Sequence, residues 1–256
     1  MAGGLAMGAQ IVEDLPQLQG AGVTQNLGAQ VPLDLQFRNS AGESVSLGQF
    51  FQTGRPVALT LNYANCPQLC NLQLDGLVAG LDGMEWSAGR EFQLITVSID
   101  PTDTPQRFNV LRDKLLSEYS RTSAFDGGWE FLTGSEASIQ SLAESVGFGY
   151  KRVELTGDYA HAAALILLTP TGQVSRYLDG VLYDSNTLRL SLVESAGGAI
   201  GSYLDAAFLT CFYYDSSAGT YAPAVMTLTR IAAAVLVFFG VGFFFRTQRR
   251  NRFNLA

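Results

Sequence analysis

The chain has 256 residues, with 16 Lys and Arg against 23 Asp and Glu and a net charge of −7. That balance excludes nucleic acid as a partner, because phosphate binding needs a basic face and several of the few cations crowd the extreme C-terminus. Hydrophobic residues, at 47%, suffice for a sizeable core, and three cysteines are too few for a disulfide framework that a chain of this length does not need.

Residues 1–30 read as an N-terminal extension. The small residues of 1–10 (MAGGLAMGAQ) resemble the tail of an export signal, although they are too short and too weakly apolar for a complete one. The Gly- and Gln-rich stretch 11–30 has no period and is expected to wrap a domain that occupies 31–200. Within it, Leu33, Leu35 and Phe37 alternate with polar residues, and a turn at 39–42 precedes Val45 and Leu47, which predicts a hairpin. The run 56–63 (PVALTLNY) is nearly all apolar, as a central strand buried on both faces must be.

A helix is expected to open at Cys66, with Pro67 at its first position and Leu69, Leu72, Leu77 and Leu81 on its inner side. A second buried strand spans 92–99, closed by Asp100 and Pro101. Thr104 and Pro105 start a helix carrying Phe108, Leu111 and Leu115. A short strand follows at 129–132, then a helix capped by Ser135 and ended by Gly147. Next come a strand at 150–154, a loop at Gly157 and Asp158, and a hairpin of 164–168 with 174–178 about the turn 169–172. A last helix opens at Ser185. Strands alternating with helices, with a hairpin at each end, predict an α/β fold with a mixed sheet flanked by helices.

Beyond 200 the composition changes. Residues 201–223 read as a connector, and 231–245 (IAAAVLVFFGVGFFF) carry no charge before Arg246, Arg249, Arg250 and Arg252. Extended to 224–246, the segment makes roughly 34 Å of helix, enough for a bilayer core of about 30 Å. Arg230 interrupts it and must snorkel to the near interface. The positive-inside rule then leaves a basic cytoplasmic tail at 247–256 and the folded domain on the periplasmic or extracytoplasmic side of the cell inner membrane.

Chemistry concentrates at Cys66 and Cys70, four residues apart where a buried strand runs into a helix. A helix N-terminus stabilises a thiolate, and the spacing puts both sulfurs on one face. Two soft thiolates suit Cu(I) or zinc, and the pair can also close as a disulfide. His161 is the only histidine and stands just before the strand at 164–168. A lone histidine is more often structural than a ligand, but in a thioredoxin-like sheet the loop entering this strand faces the start of the cysteine helix. Two thiolates and an imidazole make a three-coordinate site that suits Cu(I), whereas structural zinc wants a fourth ligand. Cys211 and the aromatic residues Phe212, Tyr213, Tyr214 and Tyr221 sit beside the expected span, where packing and interfacial roles suffice.

With the strand-to-helix elbow at 63–70, the segment Val97, Ser98, Ile99, Asp100, Pro101 followed by Asp103, Thr104, Pro105, the run Phe131 to Gly134, and His161 ahead of a strand ending in a Pro-x-Gly turn, the chain resembles the Sco/SenC family of copper chaperones for cytochrome c oxidase over about 27–200. The resemblance implies copper as the metal and Cys66, Cys70 and His161 as its ligands. Asn71 and Ala162 stand where many members have Pro and Ser, and the anchor is C-terminal rather than N-terminal, which marks a divergent branch. The function so implied is delivery of copper to the CuA site of cytochrome c oxidase subunit II, with reduction of that site's cysteines as a possible companion activity. The competing readings are a thiol–disulfide oxidoreductase using Cys66 and Cys70, against which the three-residue spacing and the histidine speak, and an accessory structural subunit of a respiratory complex.

Overall fold

The structure, a computed structural model, describes residues 20–67, 69–120, 128–197, 209, 212–215, 219–223, 229, 233, 235–237 and 246. It separates into two units, 1–200 and 201–256.

In the first unit β1 (Gln36–Arg38) and β2 (Ser44–Ser46) form the expected hairpin, and a 3-10 turn follows at Leu47–Phe51. The chain then alternates through β3 (Val57–Asn62), α1 (Leu69–Asp82), β4 (Gln93–Ser98), α2 (Pro105–Glu118), β5 (Trp129–Gly134) and α3 (Glu136–Ser145). After β6 (Tyr150–Arg152) and β7 (Tyr159–His161) come β8 (Ala164–Leu168), β9 (Val174–Asp179) and α4 (Ser185–Ser195). Seven strands make one mixed sheet in the order β2-β1-β5-β4-β3-β8-β9, parallel among β3, β4 and β5 and antiparallel elsewhere. The fold is thioredoxin-like α/β.

Both central strands are buried along their whole length because helices cover both faces. Val57, Leu59 and Leu61 join Ile95 and Val97 in a core closed by Ile139, Leu142 and Val146 of α3 and its end. On the opposite face Trp129 Nε1 donates to Thr96 Oγ1 at 2.8 Å, and that hydroxyl lies 2.9 Å from the Thr60 hydroxyl, so the buried polar groups there satisfy one another. α2 starts on a Thr104 cap and α3 on a Ser135 cap, as expected. Gly147 then takes a φ of +62°, and a Cβ there would strike the Thr24 carbonyl, where the N-terminal segment crosses the end of α3.

Three expectations need correction. The cysteine helix begins at Leu69 and not at Cys66, because 63–66 close a turn in which the Cys66 N–H donates to the Tyr63 carbonyl at 3.4 Å. Its inner face follows Cys70, Gln73, Leu74, Leu77, Val78 and Leu81, which leaves Leu72 half exposed instead of buried. The loop preceding β8 contains strand β7, which pairs with β6 from Tyr150–His161 to Arg152–Tyr159.

In the second unit, the segment read as a connector carries the antiparallel hairpin β10 (Phe212–Asp215) with β11 (Thr220–Pro223), where the Tyr214 and Tyr221 rings pack edge to face at 5.6 Å. Aromatic residues suit paired strands. Among the described residues no helix is long and apolar enough to cross a membrane. Most of 224–246 falls outside those residues; 229, 233, 235–237 and 246 are helical, and Val235, Leu236 and Val237 are exposed. Cys211 lies outside the described residues as well.

Candidate metal centre

The sheet topology brings the three ligand candidates together. β8 runs antiparallel to β3, with Val57 opposite Leu168 and Leu59 opposite Ile166. Carried towards Asn62, that register takes the chain just before β8 to the turn that follows β3. His161 ends β7, Cys66 closes the turn after β3, and Cys70 is in the first turn of α1. All three are buried, and one ligand atom from each lies within 4.8 Å of the others. Bond lengths of about 2.0–2.3 Å around one ion imply ligand separations near 4 Å, so the donor set fits a three-coordinate soft metal.

Main-chain groups orient two of the donors, Cys66 and His161. The Cys70 N–H donates to Cys66 Sγ at 3.2 Å, so this sulfur serves as cap for an otherwise unpaired amide of the helix start. Although Cys66 lies ahead of the helix, its sulfur thus still meets the positive end of the dipole. His161 Nδ1 lies 2.8 Å from the Ala162 carbonyl oxygen. A carbonyl only accepts, so Nδ1 carries the proton and, in the neutral ring, Nε2 offers its lone pair. Nε2 faces Cys70 Sγ at 3.3 Å. The imidazole is held between Tyr63 and Phe148, each with its ring centre 5.9 Å away.

Burial pushes the Cys70 thiol far above its usual range, and the adjacent Cys66 adds to the rise; the Tyr63 backbone and the Asn62 side chain oppose it. Without metal Cys70 is therefore a thiol whose proton goes to Nε2, and loading the site must release that proton. Burial likewise raises the Tyr63 phenol, whose oxygen accepts the Tyr159 N–H at 3.3 Å. Cys66 and Cys70 are thiols here and not a disulfide.

Two further residues support the site. Asp103, part of the motif after β4, accepts from the Ala64 N–H at 2.9 Å and from the Ser98 hydroxyl at 2.6 Å, which ties the cysteine turn to β4. Gln73, on the inner face of α1, accepts from the Asn62 amide and donates to the Tyr183 hydroxyl. A polar residue in phase with Cys70 on a helix was the available signal for it.

A thioredoxin-like sheet with a buried Cys-Cys-His group at the strand-to-helix elbow defines the class of protein. A family model described as SCO1/SenC matches residues 24–191, about two thirds of the chain. The chain belongs to the SCO1/SenC family. Among solved structures it is similar to a candidate electron transfer protein from Aquifex aeolicus VF5, at 23% identity and a TM-score of 0.59 over 68% of this chain and 96% of that one. A SCO1/SenC family lipoprotein from Bacillus anthracis str. Ames aligns at 20% identity and a TM-score of 0.53, over 68% and 98% of the two chains. Arabidopsis thaliana ScoI, solved with copper bound, aligns at 21% identity and 0.51, over 66% and 97%. These likenesses show a common fold. No curated protein matches the chain.

Proposed function

We propose that this chain is a copper metallochaperone that binds one copper ion through Cys66, Cys70 and His161 and passes it to the CuA site of cytochrome c oxidase subunit II. The observation that carries the reading is the convergence of two sulfurs and an imidazole nitrogen within 4.8 Å, all on buried residues. Family membership supports it, as does the copper held by the Arabidopsis relative. Copper supplies an acceptor for the two thiolates and the ring nitrogen, and the chain supplies orientation and exclusion of water. The chain is anchored by a helix over 224–246, which keeps the copper domain outside the cytoplasm beside a membrane-bound oxidase.

The test is copper stoichiometry under a competing chelator, measured on the purified full chain and on Cys66→Ser, Cys70→Ser and His161→Ala. Each substitution is expected to abolish or sharply weaken retention while leaving the fold intact. Full retention in His161→Ala would remove the imidazole from the site and overturn the three-ligand reading. One observation favours a second reading, thiol–disulfide exchange: Cys66 Sγ already accepts an amide N–H at the helix start, which favours its thiolate. A reduction potential unmoved in His161→Ala, together with unchanged copper retention, would put that reading first.

A further inference from the structure

A buried polar relay lies behind Cys70, and the ligand set alone leaves it unexplained. Asn62 ends β3, Gln73 stands one turn along α1 from Cys70, and Tyr183 follows β9; all three are buried. Asn62 Nδ2 donates to Gln73 Oε1 at 3.0 Å, Gln73 Nε2 donates to the Tyr183 hydroxyl at 3.1 Å, and that hydroxyl donates to the Gly180 carbonyl at 2.8 Å.

The polarity of this relay is set from its far end. The Gly180 carbonyl can only accept, so the Tyr183 proton goes there and the Tyr183 oxygen must receive the Gln73 amide N–H. Gln73 therefore turns its carbonyl oxygen to Asn62, and Asn62 must answer with its NH2 group. One N–H serves Gln73. The other is left over beside Cys70, whose thiol the Asn62 side chain draws down against the effect of burial. The amide oxygen of Asn62 is buried without a hydrogen-bond partner. A buried oxygen left unpaired is a standing cost, so packing alone does not account for an amide at this position.

Resting on the copper reading above, we infer that Asn62 is a positioning residue for the metal: its N–H, aimed by Gln73 and Tyr183, holds the Cys70 sulfur as an acceptor and favours it as a metal-bound thiolate. An N–H bond to a charged sulfur is stronger than one to a neutral thiol, so the relay stabilises the loaded site more than the empty one. Groups that orient a ligand in this way commonly change metal affinity by roughly 10–100-fold.

The experiment compares the full chain with Asn62→Leu, Asn62→Asp and Tyr183→Phe. With Cu(I) as the probe, Asn62→Leu should lower retention against a chelator about tenfold. Asn62→Asp, which presents an acceptor to the sulfur, should lose more than Asn62→Leu. Tyr183→Phe frees Gln73 to turn and should give a smaller loss of the same sign, which keeps the test alive if the Asn62 variants fail to fold. The sulfur-to-copper charge-transfer band of the Cu(II) form should move to lower energy in Asn62→Leu, a change that a packing role does not predict. A metal-free arm uses Cys66→Ser, in which alkylation of Cys70 should slow severalfold when Asn62→Leu is added. Wild type that binds no copper sinks the copper reading, and the alkylation arm then judges Asn62 by itself. Folded Asn62→Leu with wild-type alkylation and, where copper binds, wild-type retention overturns the inference.

Discussion

Asp103→Ala removes the brace that ties the cysteine turn to β4. Its Oδ2 accepts from the Ala64 N–H at 2.9 Å and the Ser98 hydroxyl at 2.6 Å, and Arg107 stands 3.7 Å from Oδ1. In the variant Ser98 still has the Asp100 carbonyl at 3.3 Å, but the Ala64 N–H is left without its acceptor. A stranded donor costs roughly 1–3 kcal/mol, and each bond to a charged acceptor is worth about 1.5–3 kcal/mol. Against this, burial holds the Asp103 carboxyl above the usual carboxylate range, so its removal also relieves a desolvation cost. A net loss of about 2 kcal/mol is expected, close to a thirtyfold shift in the folding equilibrium. Asp103→Asn keeps an acceptor without the charge and should lose less. The pH dependence has a definite sign: because the folded state binds this proton more tightly than the unfolded chain, its stabilisation is full below the ordinary value of about 3.9 and is lost as pH rises through the raised one. Denaturant unfolding of the full chain, followed by tryptophan fluorescence between pH 4 and 7, should show that fall in wild type and a flatter profile in Asp103→Asn. A loss below about 0.5 kcal/mol in Asp103→Ala, the scale of an ordinary surface change, would refute the bracing role.

Gly76→Ala places a methyl group against the Val181 carbonyl where α1 crosses the chain after β9, and it should destabilise the fold by about 1–3 kcal/mol in the same assay. Mild oxidation of the metal-free chain should give a Cys66–Cys70 disulfide as the main product in peptide mapping, with Cys211 unlinked to either. A Cys70–Cys211 bond as the main product would count against the local dithiol. A reporter fused after residue 256 should read as cytoplasmic, and an extracytoplasmic signal would overturn the proposed span.

The parts of the fold that were legible in the sequence are those in which one local rule acts unopposed. The apolar runs at β3 and β4 have no solvent face, so composition alone marks them as central strands. Thr104 before Pro105, and Ser135, cap their helices by local bonds and are recognisable from residue type. The start of α1 was misplaced because Cys66 is held by a bond to Tyr63 that competes with helix entry, and Pro67 is compatible with either outcome. β7 was missed because its three residues are too few for a period, and its pairing with β6 is visible only in three dimensions. The cysteines and the histidine drew attention as rare chemistry in a telling context. Asn62 and Gln73 did not, because each acts through a partner on another element, and the bond from Asp103 to Ala64 spans 39 residues.

Two departures from the pattern of many family members adjoin the site. Asn71 occupies a position in the first turn of α1, where a helix has amides without partners and a proline is tolerated. Its side chain instead reaches back to the Cys66 carbonyl at 3.4 Å, helping to close the turn that presents this sulfur. Ala162 offers no side-chain hydrogen bond, yet it is the main-chain carbonyl of this residue that accepts from His161 Nδ1 and leaves Nε2 for the metal. Cys66 is likewise oriented by a main-chain amide, that of Cys70. Cys66 and His161 are thus both aimed by main-chain groups, which Asn71 and Ala162 supply or leave undisturbed, so the two departures keep these donors in place. What such substitutions do change is the surface around the site, and with it the face offered to a partner.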